Sequence, residues 1–136
     1  MTKDCIFCKI IKGEIPCSKI YEDDKVFAFL DIMPVNPGHT LIVPKKHSEN
    51  IFDIPEDDLK AVASVMKKVS VAVKKGTGCD GISIAQSNGE AAGQVVPHVH
   101  FHVMPRLKGD GLKLWPQRKY KDGELEETKK KIIKYI

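Results

Sequence analysis

The chain's 136 residues suit a single domain, 1–136, with a modest core, and its 42% apolar and 29% charged residues are those of an ordinary globular chain. No stretch approaches the ~18 apolar residues of a membrane span, so neither a spanning helix nor a membrane partner is expected. With 22 Lys and Arg against 18 Asp and Glu, the net charge of +4 suits an anionic ligand but is too small a bias to argue for nucleic acid. The start, Met1 to Cys5, lacks the apolar run and cleavage site of a signal peptide. The expected compartment is the cytoplasm, where four cysteines read as thiols or metal ligands rather than disulfides.

In chain order, Cys5 to Ile11 reads as one or two helical turns ended by Gly13. Cys5 and Cys8 lie three apart, so a turn can aim both sulfurs at one point; buried thiols, a redox pair and half of a zinc site all fit that spacing. Lys19–Glu22 and Val26–Leu30 read as strands of a hairpin around Asp23-Asp24-Lys25. A Pro- and Gly-containing loop, Met33 to Gly38, leads to a third, apolar strand, Thr40–Pro44, flanked by His39 and His47. Pro55-Glu56-Asp57-Asp58 opens a long helix, since proline suits a first turn and acids complement the positive end of the dipole. Leu59, Val62, Ala63, Met66, Val69 and Val73 form its expected buried stripe, and Gly76 its expected stop. Gly81–Gln86 is a fourth strand, and Ser87 to Gln94 a small-residue loop of the kind that lets backbone amides approach an anion.

His98-Val99-His100-Phe101-His102-Val103-Met104 is the predicted fifth strand, and the stretch on which a functional reading turns. In an extended strand alternate side chains share a face, which puts His98, His100 and His102 in a row at roughly 7 Å intervals, opposite Val99, Phe101 and Val103. Three readings fit: a half-solvated strand, a three-histidine metal site, or a nucleophilic histidine between two others. A neutral imidazole attacks well near neutral pH, and neighbouring imidazoles can orient it and handle protons. Beyond the strand, Lys108 to Gly111 is a loop, and Leu112, Leu114 and Trp115 form a late apolar cluster of the sort that packs against another surface. Glu124 to Tyr135 is a final helix with Leu125, Ile132 and Ile133 as its apolar contacts. Cys17 and Cys79 read as core thiols.

The alternating histidine stretch resembles the signature of the histidine-triad (HIT) nucleotide hydrolases and transferases. Further stretches match in the expected order: Ile6-Phe7-Cys8-Lys9-Ile10, Phe29-Leu30-Asp31-Ile32, and His39-Thr40-Leu41-Ile42-Val43-Pro44-Lys45-Lys46-His47. The chain looks most like the Hint-like branch in its bacterial form. That resemblance implies an α+β fold, with a five-stranded, mainly antiparallel sheet, one long helix and shorter N- and C-terminal helices. It also implies a homodimer in which two sheets combine and C-terminal residues reach the partner's site.

For activity, the resemblance implies hydrolysis of a purine nucleoside monophosphate conjugate, a phosphoramidate or acyl-nucleotide, through a nucleotidyl-histidine on His100. The alternatives are a dinucleoside polyphosphate hydrolase or a nucleotide-binding regulatory module with weak turnover. His102, His98 and His39 complete the implied catalytic set, with Asn88 and Gln94 on the phosphate or leaving group. Asp31 takes the ribose hydroxyls, and Ile6, Phe7, Ile10, Phe29 and Ile32 sandwich the base. Cys5, Cys8, His47 and His98 are the implied ligands of one structural zinc per chain, and no organic cofactor is expected. Where Hint-like relatives usually carry Ser or Thr, after the residue matched by Gln94, this chain has Val95. That departure bears on leaving-group preference and turnover.

Overall fold

A computed structural model describes residues 4–136, so Met1 to Lys3, part of the segment read above for a signal peptide, lie outside the described residues. The elements are α1 (Ile6–Ile11), β1 (Lys19–Glu22), β2 (Val26–Leu30), β3 (Thr40–Pro44), α2 (Glu56–Thr77), β4 (Gly81–Ala85), β5 (Phe101–Arg106) and α3 (Glu124–Ile133), with one 3-10 turn at Glu90–Ala92. The strands form one sheet in the order β1-β2-β3-β5-β4, and every neighbouring pair is antiparallel. The expected five-stranded antiparallel α+β architecture is therefore present. Among the described residues no helix is long and apolar enough to cross a membrane.

Strand alternation divides the core between the two faces of the sheet. Val26, Ala28, Ile42, Phe101 and Val103 face α2 and meet its Val62, Val65, Val69 and Val73. A fully buried valine contributes about 1.5–3 kcal/mol, so these four fix the helix to the sheet. Phe27, Phe29, Leu41 and Val43 face the other way and meet Cys5, Phe7, Cys8 and Ile10 of the N-terminal turn. Leu41 stands opposite Phe29 on one side and His102 on the other, so His102 belongs to the α1 face. The hairpin turn is closed by the Asp23 carboxylate, which accepts the Lys25 and Val26 N–H groups and the Tyr21 hydroxyl.

The structure departs from the sequence reading in five places. β5 begins at Phe101 rather than His98, because residues 98–100 are bonded elsewhere: Val99 N–H donates to the Ser48 carbonyl, and the His98 carbonyl accepts from a side chain. Val65 takes the buried position expected of Ala63, which is exposed. Val65 lies three residues after Val62 and four before Val69, whereas Ala63 is turned about 100° from Val62. α2 runs past Gly76 to Thr77 and stops at Gly78, whose φ of 68° and N–H bond to the Lys74 carbonyl make the left-handed cap. Cys79 is buried as expected, but Cys17 is only half-buried, and its thiol pKa is raised by what burial it has. Finally, Leu125, Ile132 and Ile133 of α3 are more than half exposed and pack on no core of their own.

Gly38 holds the approach to β3. Its φ of +102° is a conformation that favours glycine, and a Cβ there would lie 2.7 Å from Thr77 Cγ2 and 3.2 Å from Pro105 Cγ. Gly38→Ala is therefore expected to cost about 2 kcal/mol or more in urea unfolding, from backbone strain plus overpacking. An unchanged unfolding midpoint would show that the loop before His39 relaxes freely.

Candidate functional site

All five histidines lie on or beside the α1 face, in two groups joined by main chain. The first group is Cys5, Cys8, His47 and His98, whose ligand atoms lie within 4.8 Å of one another. Cys5 is the N-cap of α1, its sulfur accepting the Cys8 N–H, so the turn aims both sulfurs inward. His98 is fully buried. Its Nε2 lies 2.8 Å from the Pro44 carbonyl, which can only accept, so Nε2 carries the proton and Nδ1 presents a lone pair. Burial pushes the His98 pKa down to about 4, the bond to Pro44 pulling the other way, and the ring is neutral near pH 7.

Around that one lone pair stand Cys5 Sγ at 3.3 Å, Cys8 Sγ at 3.6 Å and His47 Nδ1 at 3.2 Å, with Cys8 Sγ 3.5 Å from His47 Nδ1. A single hydrogen satisfies one such contact. A cation at the centre satisfies all four donors together. A tetrahedral ion with sulfur near 2.3 Å and nitrogen near 2.0–2.1 Å sets its ligands roughly 3.3–3.8 Å apart, close to the separations found here. The His98 Nε2–H bond to a carbonyl is also the outer support that a metal-bound imidazole needs. This Cys2His2 cluster can hold a metal ion.

The second group is His100, His102, His39 and Asp31. His100 Nδ1 lies 2.8 Å from the His98 carbonyl oxygen, so Nδ1 is the protonated nitrogen and Nε2 keeps its lone pair. The ring is half-buried, with His102 at 5.1 Å and Phe7 at 5.1 Å, centroid to centroid. The Val35 N–H donates to His39 Nδ1, which leaves the proton of that ring on Nε2, and Nε2–H donates to His102 Nδ1 at 2.8 Å. His102 in turn carries its proton on Nε2. Burial pushes His102 down to about 4, the nearby His100 and His39 adding to the shift and Asp31 opposing it. Burial also lowers His39, against the pull of Asp31, so the pair is neutral near pH 7.

Asp31, His39 and His102 also lie close enough to suggest a cation site, but the protonation pattern argues otherwise. His39 Nε2 would have to give up its hydrogen, and the proton would then face the Val35 N–H across Nδ1. His39 and His102 are instead a hydrogen-bonded pair that leaves an Nε2–H on His102 free to donate.

The remaining residues singled out in the sequence divide. Asp31 follows β2, its Oδ1 accepting the Met33 N–H and its Oδ2 3.6 Å from His39 Nε2, with the side chain 20% exposed. Phe7, Ile10 and Phe29 are buried in the core of that face, whereas Ile6 is half exposed and Ile32 almost wholly exposed. Asn88 accepts the Ile51 N–H and exchanges two bonds with the Gln86 amide. Gln94 spends both Nε2 hydrogens on the Glu49 and Val96 carbonyls and accepts the Gly89 N–H. In this conformation, therefore, Gln94 ties two loops together and has no hydrogen left to offer a phosphate. Val35, Pro44 and the His98 carbonyl, which set the three tautomers, are main-chain partners that side-chain identity does not reveal.

Tautomer-locked imidazoles on one face of an antiparallel sheet, His100 with a bare Nε2 beside the bonded His39–His102 pair, are an arrangement able to attack an electrophilic centre such as phosphorus. Residues 12–109 match the HIT domain model, and the chain belongs to that family. It is 51% identical over 128 residues to an uncharacterized HIT-like protein of Methanocaldococcus jannaschii, covering 94% of this chain and 98% of the relative. It is 44% identical over 118 residues to an adenosine 5'-monophosphoramidase of Candida albicans, covering 82% and 78%. Among solved structures it superposes on a HIT family member from Bacillus subtilis with a TM-score of 0.91 at 40% identity, covering 98% of both chains. A zinc-bound histidine triad protein from Mycobacterium smegmatis gives a TM-score of 0.77 at 34% identity, again over 98% of both.

Proposed function

We propose that this protein is a nucleotide hydrolase that cleaves purine nucleoside monophosphate conjugates, phosphoramidates or acyl-nucleotides, through a nucleotidyl-histidine on His100. The observation that carries this reading is the bond from His100 Nδ1–H to the His98 carbonyl, which fixes the tautomer with a lone pair on Nε2. Nε2 attacks the α-phosphorus, the bond to the leaving group breaks, and water later hydrolyses the P–N bond to release the nucleoside monophosphate. His102 presents its Nε2–H to the phosphate oxygens, the His39 Nε2–H bond to His102 Nδ1 at 2.8 Å holds that tautomer in place, and the leaving group takes its proton from water. Asp31, with carboxylate lone pairs not used by Met33 and a partly exposed side chain, accepts the ribose hydroxyls. Ile6 and Ile32, the exposed members of the apolar set, meet the base. Asn88 retains an Nδ2 hydrogen for phosphate, and Gln94 shapes the loop beside it.

The Cys2His2 donor set is that of a structural zinc, and a relative of the same fold is zinc-bound. Cys5, Cys8, His47 and His98 would hold the ion, which ties the N-terminal turn to the sheet and takes no part in the chemical step. The active form is a homodimer. Leu114 and Trp115 are 70% and 76% exposed, and Leu125, Ile132 and Ile133 of α3 are each more than half exposed, apolar side chains that a second copy would cover. The protein works in the cytoplasm, a reducing compartment in which Cys5 and Cys8 stay available as metal ligands.

Rapid mixing with an adenosine phosphoramidate labelled in the phosphate tests the mechanism. One equivalent of amine should leave in a burst, with label retained on the protein in the acid-labile, base-stable form that a phosphoramidate bond dictates. Binding of the nucleotide with neither burst nor turnover would favour the regulatory alternative.

A further inference from the structure

We propose that Phe7 is a positioning residue for His100, held against it by the two cysteines on either side. The inference rests on the reading of His100 as nucleophile. Phe7 sits between Cys5 and Cys8 on α1 and is 6% exposed, so little of its ring is open to a nucleobase. The ring meets His100 at 5.1 Å and 77°, His98 at 5.9 Å and 72°, and Phe29 at 5.6 Å and 67°. One aromatic side chain thus touches both the reactive imidazole and the histidine whose carbonyl fixes its tautomer.

His100 needs that contact. Its Nδ1–H bond to His98 restrains one edge of the ring, and His102 bounds another side at 5.1 Å and 64°. Phe7 supplies the third restraint. Without it the imidazole can swing about its side-chain bonds, and attack at phosphorus demands an aligned lone pair at close approach. The placement of Phe7 is in turn set by the cluster beside it: Cys5 Sγ and Cys8 Sγ reach His98 Nδ1 at 3.3 and 3.6 Å, and Cys8 Sγ reaches His47 at 3.5 Å. A six-residue helix has little cohesion of its own. The cluster therefore acts on the nucleophile at a distance, through the His98 carbonyl and through the Phe7 ring.

The test is Phe7→Ala in the full-length protein, with adenosine phosphoramidate as substrate. Metal content, kcat, KM and the 15N-histidine correlation spectrum are read on the same sample. The metal should stay bound, KM should hold within about twofold, and kcat should fall by roughly ten- to a hundredfold. The His100 signals should change from a fixed Nδ1–H tautomer to an averaged one. Chelator-treated wild-type protein should show the same averaging. If Phe7→Ala unfolds, Phe7→Leu keeps most of the volume and carries the same reading. A rise in KM with kcat unchanged would mean that the ring serves the base and would overturn the proposal, as would an unaltered His100 spectrum in the variant or the chelated protein. In either case a burst of labelled wild-type protein would leave the nucleophilic mechanism standing.

Discussion

His100→Ala is expected to lower kcat by at least about 10⁴-fold, because a double displacement cannot begin without its nucleophile, and the groups that act with it cannot substitute. His102 offers Nε2–H rather than a lone pair, its Nδ1 being filled by the His39 proton. His98 offers none either, since its Nε2–H is given to Pro44 and its Nδ1 faces the thiols. Water could still attack phosphate held by the His102 Nε2–H, which sets the residual rate. Nucleotide affinity should change only a few-fold, because Asp31 and the His39–His102 pair remain. The variant should also fold: His100 is half-buried, and the carbonyl left behind on His98 is the one polar group that loses its partner. Labelled substrate should leave no covalent label on this variant. Retention of activity within tenfold of wild type would dismiss His100 as nucleophile.

Much of this architecture is written in local pattern. Continuous apolar runs mark Val26–Leu30 and Thr40–Pro44 as central strands buried on both faces, His100 to Val103 alternates, and the sheet register places His102 opposite Leu41. What local pattern misses is set by long-range main-chain partners. Strand geometry alone places His98, His100 and His102 in one row of equivalent side chains. In the fold Ser48 and Pro44 take hold of the His98–Val99 segment, bury it and send His98 to the cysteines, so the row divides into a candidate metal ligand, a candidate nucleophile and the partner of His39. The four members of the cluster lie as much as 93 residues apart, and only the family resemblance joined them beforehand. Long-range contacts also set Gln94 and Phe7, which match positions associated with substrate: in this conformation Gln94 spends its hydrogens on loop carbonyls and Phe7 lies edge-on against the His100 ring. α3 shows the limit of amphipathic pattern, which marks an apolar face without naming its partner; a second copy of the chain is the partner proposed here.

Replacing Cys5 and Cys8 together by Ser should release the metal and cost about 4 kcal/mol of stability when free zinc exceeds its dissociation constant a thousandfold, a fall in Tm on the order of 10 °C. Serine hydroxyls are harder and less readily deprotonated than thiols, so they neither match a borderline-soft ion nor neutralise its charge. The loss should be larger than that of two ordinary thiols, because His98 is fully buried and its Nδ1 lone pair is left facing a site that no longer holds a cation. Metal analysis and thermal unfolding, with and without added zinc, check this: wild type should gain stability from zinc and the double variant should not. The variant should keep more activity than His100→Ala, since it loses alignment and not the nucleophile. Wild-type protein that is metal-free after preparation in zinc with reductant would refute the site. Metal retained by the double variant, on Asp31, His39 and His102, would refute more: His39 Nε2 would have to be bare, its hydrogen bond to His102 would be broken, and the assignment of the His39 proton from the Val35 N–H bond would be wrong.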